Sequence, residues 1–255
     1  MNQQNSESAN SSPQEMPAAD LAQYAAEMFH RTIVHHVLWF TEVRHQMGHE
    51  RAMEMLGQVA ETSCRVQMKR LSKVLGFELK DDLPAGLAKM PEENLRKLIE
   101  AASANWLAND GIWFQTVENN YGMSEAKRCN DSCWAQFSPV EADMIRKMLD
   151  LPANPGLDGL KKALGYRLYA NVNTQSIIDE GQNSFVFQMN NCRVQAARKR
   201  RNLPDYPCKS AGLVEYTYFA RAIDERITTE CIGCPPDDHP DQWYCAWRFS
   251  ITENQ

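Results

Sequence analysis

The sequence predicts an α+β protein: a helical N-terminal half, a duplicated helical hairpin, followed by a C-terminal antiparallel sheet with helices and a four-cysteine metal site. Three observations lead there. Apolar residues recur at helical spacing from about residue 19 to 150. Segments rich in aromatic and β-branched residues follow in 151–255. Four of the eight cysteines fall between Cys208 and Cys245.

Residues 1–18 are mostly Asn, Gln, Ser, Glu and Pro, with little to bury, and are expected to form a disordered tail. Ala25, Met28, Ile33, Val37, Phe40 and Val43 then recur at spacings of three to five, which predicts a first amphipathic helix. A second is predicted from about His49 to Leu75, ended by Gly76 as a C-cap. Pro91, Glu92 and Glu93 place proline and acid in the first turn of the next helix.

The helical half contains an internal repeat. Val37–Met53 aligns with Gly111–Lys127 at a constant offset of 74, matching Trp39 with Trp113, Phe40 with Phe114, Val43 with Val117, Gly48 with Gly122 and Ala52 with Ala126. Each copy is a helix, a glycine turn and a second helix. The pattern predicts a duplicated hairpin whose Trp-Phe pairs share a core and line a ligand pocket. His36 and Asp110 hold equivalent positions beside those pairs.

Pro152, Pro155 and Gly156 punctuate the boundary to the third zone. A short helix follows in LDGLKKALGYRLYANV. NVNTQSIIDE, SFVFQM, ERITTECIG and WRFSIT are predicted strands, and LVEYTYFARAI a helix with Leu213, Tyr216, Phe219 and Ala220 on one face. The expected organisation is therefore 1–18 tail, 19–150 helical, 151–255 α+β.

With 27 basic and 33 acidic residues the net charge is −6, which disfavours a nucleic-acid partner. No stretch approaches the ~20 apolar residues of a membrane span, and the N-terminus has neither the basic nor the apolar region of an export signal. A cytoplasmic location is expected, where disulfides do not persist and clustered cysteines point to metal.

The metal candidates are Cys208, Cys231, Cys234 and Cys245. The two-residue spacing of Cys231 and Cys234 lets one turn aim two thiolates at one ion, and four thiolates close a tetrahedral structural zinc site. Four thiolates also suit an iron–sulfur cluster, and Pro235 follows Cys234 as proline follows ferredoxin-type cysteines. His239 is an alternative fourth ligand.

The string PCKSAGLVEYTYFARAIDERITTECIGC…YCAWRFS resembles the end of the 4-vinyl-reductase-type ligand-binding domain, of the same broad superfamily as haem/NO-binding modules. The resemblance implies a ligand-binding domain with zinc on Cys208, Cys231, Cys234 and Cys245, Cys231 standing where the phenol-sensing members carry an acid. Residues 25–252 also resemble an uncharacterised bacterial cytosolic family similar to aminothiazoline-carboxylate hydrolase-like proteins, which implies a hydrolase as the alternative.

Cys192 opens a locally basic run, with Arg193, Arg198, Lys199, Arg200 and Arg201 following. Arginine forks recognise carboxylate or phosphate, so Arg193 joins Trp39, Phe40, Trp113 and Phe114 as a ligand-binding candidate. For an enzyme, the first candidates are Cys192, Arg193 and Glu215. Whether the protein is an enzyme is left open by the sequence, which has no triad order, P-loop or dinucleotide-binding glycine motif. His45 with Glu42 or His49 has helical chelating spacing, but the repeat copy offers no matching set. The expected partner is a small molecule, apolar or carboxylate-bearing, with a homodimer as a further expectation.

Overall fold

The computed structural model describes residues 12–252. Residues 1–11 of the expected tail lie outside them; a short 3-10 turn, Pro13–Glu15, precedes the first helix. The chain forms two compact units that divide between Ala88 and Lys89.

The first unit holds two long helices, α1 (Ala18–Met47) and α2 (His49–Leu75). A two-residue hairpin, β1 (Leu79–Lys80) with β2 (Leu83–Pro84), and a single turn, α3 (Ala85–Ala88), complete it. The helices meet at Gly48, whose φ of 87° and ψ of 169° suit only a residue without a Cβ. Gly76 is left-handed, φ 73°, and its N–H bonds the Ser72 carbonyl at 2.9 Å, so the expected C-cap forms. Across both helices only Ala52 is buried.

The second unit opens with α4 (Glu92–Tyr121) and α5 (Met123–Met148), which meet at Gly122 with φ 89° and ψ 168°. These are nearly the angles of Gly48, and Ala126 is buried just past this turn as Ala52 is past the other. The 74-residue offset is thus matched in backbone geometry. Neither tryptophan of the expected Trp-Phe core is buried: Trp39 is 60% and Trp113 67% exposed. Successive residues lie 100° apart on a helix, so with Phe40 and Phe114 turned inward each tryptophan is swung off the buried face.

Next come α6 (Gly156–Leu164), β3 (Thr174–Asp179), β4 (Ser184–Asn191), α7 (Arg193–Arg200), α8 (Lys209–Ile223), β5 (Ile227–Gly233) and β6 (Cys245–Ile251). The strands form an antiparallel sheet in the order β3-β4-β6-β5. Phe185, Phe187 and Met189 of β4 pair with Phe249, Trp247 and Cys245 of β6, and this face forms the core with α6 and α8. Burying such aromatic and aliphatic side chains stabilises by roughly 1.5–3 kcal/mol each.

The organisation expected from Pro152 and Gly156 placed a boundary near residue 150; that point falls inside the second unit, because α5 packs along α8. Asp224 ties two corners of the unit. Its buried carboxylate accepts from the Gly156 N–H at 2.9 Å and from Arg226 Nη2 at 2.7 Å. The bonds from Arg226 outweigh burial and lower its pKa to about 2. No helix of the described residues is long and apolar enough to cross a membrane.

Candidate functional site

A cavity of about 770 Å³ lies within the second unit, walled by α4, α5, α7, α8 and the central strands β4 and β6 of the sheet. That is the size of a small-molecule pocket. Its aromatic wall comes from Phe114, Trp134, Tyr169, Tyr216 and Trp247. Gly212 makes part of this wall possible: a Cβ there would lie 2.4 Å from the Trp247 ring, so only glycine lets α8 lie against the indole.

Charge is divided along the cavity. Arg193, Arg198, Arg200 and Arg201 stand on the α7 side; Arg198 faces Glu118 at 3.8 Å, and Arg193 and Arg200 have no acidic partner among the described residues. Asp110 and Glu215 line the interior. Burial raises Asp110 to about 6. Burial also raises Glu215 to about 7, although a guanidinium touches it. That guanidinium is Arg167, itself 2% exposed: Nη1 donates to Glu215 at 2.6 Å and Nε to Glu141 at 2.9 Å. The Leu168 N–H bonds the other Glu141 oxygen at 3.0 Å, and the guanidinium lies 4.5 Å over the Phe219 ring. One buried cation thus joins α5 to α8 and positions Glu215.

Tyr206 closes the front of the site. Its hydroxyl accepts from Asn130 at 2.9 Å, its ring meets Phe114 edge-on at 5.0 Å, and Lys127 sits 4.7 Å above it. Gln195 holds the tyrosine backbone with two 2.8 Å hydrogen bonds. Two donors on the cavity lining, Trp247 Nε1 and Asn173 Nδ2, are buried with no partner among the described residues. Orphaned donors of this kind are costly unless something accepts from them.

Cys208, Cys234 and Cys245 also line the cavity. Cys208 Sγ lies 3.4 Å from Cys234 Sγ. Cys234 bonds both neighbours, which keeps its own proton on and pushes its pKa up, while the bond lowers that of Cys208. Cys231 is on the same face of the sheet, opposite Trp247, and only partly buried. The expected four-cysteine centre is not formed by these side chains: among the described residues, no group of three or more His, Cys, Asp and Glu side chains is arranged to hold a metal ion. A bulge in β5 falls between Cys231 and Gly233, within the expected knuckle. His239 packs near Trp243 and Tyr244 instead.

The other candidates separate by unit. Phe114, Arg193, Cys192 and Glu215 line the cavity; Trp113 does not. Trp39 and Phe40, with His36, line a smaller crevice in the first unit. Burial pushes the Cys192 thiol up to about 12, which leaves almost no thiolate at neutral pH. Sequence reasoning did not find Arg167, Glu141, Tyr169 or Tyr206. The one signal for Arg167 was an arginine inside the apolar run LGYRLYA.

Residues 88–251 match a family of unknown function, DUF6125. The chain belongs to this family. No curated protein and no solved structure matches it. The DUF6125 match begins one residue before the second unit, so the cavity and the cysteines at 208–245 lie inside it, whereas α1 and α2 lie outside.

Proposed function

We propose that the protein binds a small molecule in the cavity of its second unit. The observation that carries this is the cavity itself: about 770 Å³, aromatic-walled, with unpartnered buried donors on Trp247 and Asn173. Arg193 and Arg200 on the α7 side suit a carboxylate, and the buried aromatic wall suits an apolar body. A hydrogen-bond-donating group on the ligand would meet Asp110 or Glu215. This reading rests on the lining residues and does not require catalysis. The hydrolase reading keeps one specific support, two interior carboxylates whose raised pKa values suit proton transfer near neutral pH. Cys192 is a poor nucleophile for it.

Zinc on Cys208, Cys231, Cys234 and Cys245 is the second part of the proposal. The donor set suits zinc, and three of the four thiols already adjoin one another. Zn–S bonds of about 2.3 Å in a tetrahedron put sulfurs about 3.8 Å apart, so the 3.4 Å Cys208–Cys234 contact needs only a small opening. Cys231, half-buried on the same face of the sheet, would be the fourth donor. Bound zinc would supply a rigid tie between the start of α8, the end of β5 and the start of β6.

One experiment addresses both parts. Metal content is measured on anaerobically purified protein, which is then screened by thermal shift against aromatic carboxylates. About one zinc per chain, lost in Cys234→Ser, is expected; iron with sulfide, or no metal, overturns the zinc assignment. Compounds that raise Tm should lose their effect in Gly111→Trp, because Gly111 lines the cavity and a Cβ there meets only Gln115 Nε2 at 3.9 Å. Equal shifts in both proteins, or none in either, overturn the pocket assignment.

A further inference from the structure

The first hairpin is long and nearly coreless. In α1 and α2 together only Ala52 is buried, yet Ile33 is 64%, Val37 53% and Trp39 60% exposed. Phe29, Leu38 and Met47 of α1, and Val59 and Val66 of α2, are exposed as well. Helices take most of their stability from packing an apolar face, and contiguous apolar patches of this kind mark interaction sites.

The second hairpin shows what such a hairpin does when its apolar face is covered. There α5 buries Trp134, Ala142 and Ile145, and α8 of the same chain lies along it. Tyr206 fills the space in front of Phe114. The equivalent space in the first hairpin is an apolar crevice of about 280 Å³ lined by Trp39, Phe40, Val43, Met55, Leu56 and Val59. At the offset of 74, the Asn130 and Lys127 that greet the tyrosine become Leu56 and Met53. Apart from His36 the crevice is lined by apolar side chains, so it suits an apolar group.

We propose that the α1–α2 hairpin is a dimerisation element, which receives the α1–α2 hairpin of a second copy to form an antiparallel four-helix bundle. The charges of α2 select a second copy, because they are self-complementary: Glu50, Glu54 and Glu61 outnumber Arg51 in its first half, and Arg65, Lys69, Arg70 and Lys73 fill its second. A two-fold axis that runs α2 antiparallel to its copy sets each acidic half on a basic half. Isologous pairing of one patch with itself is the commonest route to a soluble dimer.

Sedimentation equilibrium of the full chain tests this. Wild type should have twice the chain mass of 29.1 kDa. Ile33→Glu with Val37→Glu should give the single mass with helical circular dichroism retained. Ile112→Glu with Trp113→Glu, on the exposed face of α4, should leave the dimer intact. Reversing Glu54 and Glu61 to Lys should weaken the dimer at least tenfold, and reversing Lys69 and Lys73 to Glu in the same chain should restore it. A monomeric wild type overturns the proposal, as does a dimer lost through the α4 variant and kept through the α1 variant. A charge reversal that the second swap fails to rescue overturns the antiparallel arrangement.

Discussion

The two helical hairpins turn on glycines with almost the same dihedral angles, yet they end in different environments. Gly48 and Gly122 differ by 2° in φ and 1° in ψ (87°/169° against 89°/168°). The second hairpin buries Trp134, Ser138, Glu141, Ala142 and Ile145 of α5; the first buries nothing of α1 and only Ala52 of α2. The turn therefore fixes the hairpin but not its fate. What separates them is a buried partner: α8 carries Glu215 towards Arg167, and Arg167 reaches Glu141 on α5. The first hairpin has Gln67 at the position of Glu141, with no equivalent tie.

The largest expected effect breaks that tie. Arg167→Met keeps length and apolar volume but leaves Glu141 and Glu215 facing each other without their cation. Removing one partner of a buried ion pair costs about 3–5 kcal/mol. Urea unfolding should show that loss, and a second substitution, Glu141→Gln, should recover part of it. A loss under about 1 kcal/mol would mean that packing of α5 on α8 suffices and that the cluster does not distinguish the hairpins.

The next effect is a pH dependence. Glu215 is raised to about 7, from an ordinary value near 4.5, chiefly by burial. Between those values the folded state holds a proton that the unfolded state has released. Stability contributed through this group is therefore full below about pH 4.5 and declines as pH rises towards 7, by at most ~1.4 kcal/mol per pH unit. Asp110, raised to about 6, acts in the same sense from about pH 4. Glu215→Gln should flatten the stability profile between pH 4.5 and 7 relative to wild type. An unchanged slope would show that the carboxylate is ionised throughout and fully matched by Arg167.

Much of this contrast was legible in the sequence, for reasons that stop at the boundary of local structure. Helical period, proline and glycine placed α2 at His49–Leu75 with its Gly76 cap, and the aromatic and β-branched runs placed β4 and β6. Those signals are short-range. The 74-residue repeat was visible because Trp, Phe and Gly stand out against an amphipathic background. Which hairpin would be covered was not visible, since it depends on charges far apart in sequence: Glu215 stood out only as a catalytic candidate, and nothing in the sequence joins it to Arg167 and Glu141 until α5 and α8 meet. The cysteines show the same limit. Their clustering marked Cys208, Cys234 and Cys245, which line one cavity wall, but it did not foresee that Cys231 lies outside that lining or that a bulge falls between Cys231 and Gly233.

The smallest effect is also the sharpest comparison. Alanine at either glycine turn must adopt a positive φ, at a cost on the order of 1–3 kcal/mol for so sparsely populated a region. Space is not the obstacle, because a Cβ at Gly48 or Gly122 meets nothing within 4 Å. The same strain should therefore appear in different places. Gly122→Ala acts on the hairpin that packs with α8, so it should lower the urea midpoint of the second unit by about that amount. Gly48→Ala acts on a hairpin with one buried residue of its own, so the strain should be relieved by local fraying, with faster hydrogen exchange across Arg44–Ala52 and little change in the second unit. If the hairpin is held by a second copy, Gly48→Ala should also weaken dimerisation at low protein concentration, an effect that Gly122→Ala should not share. Equal loss of global stability from both substitutions would show that the two hairpins unfold as one and that their difference in burial has no energetic consequence.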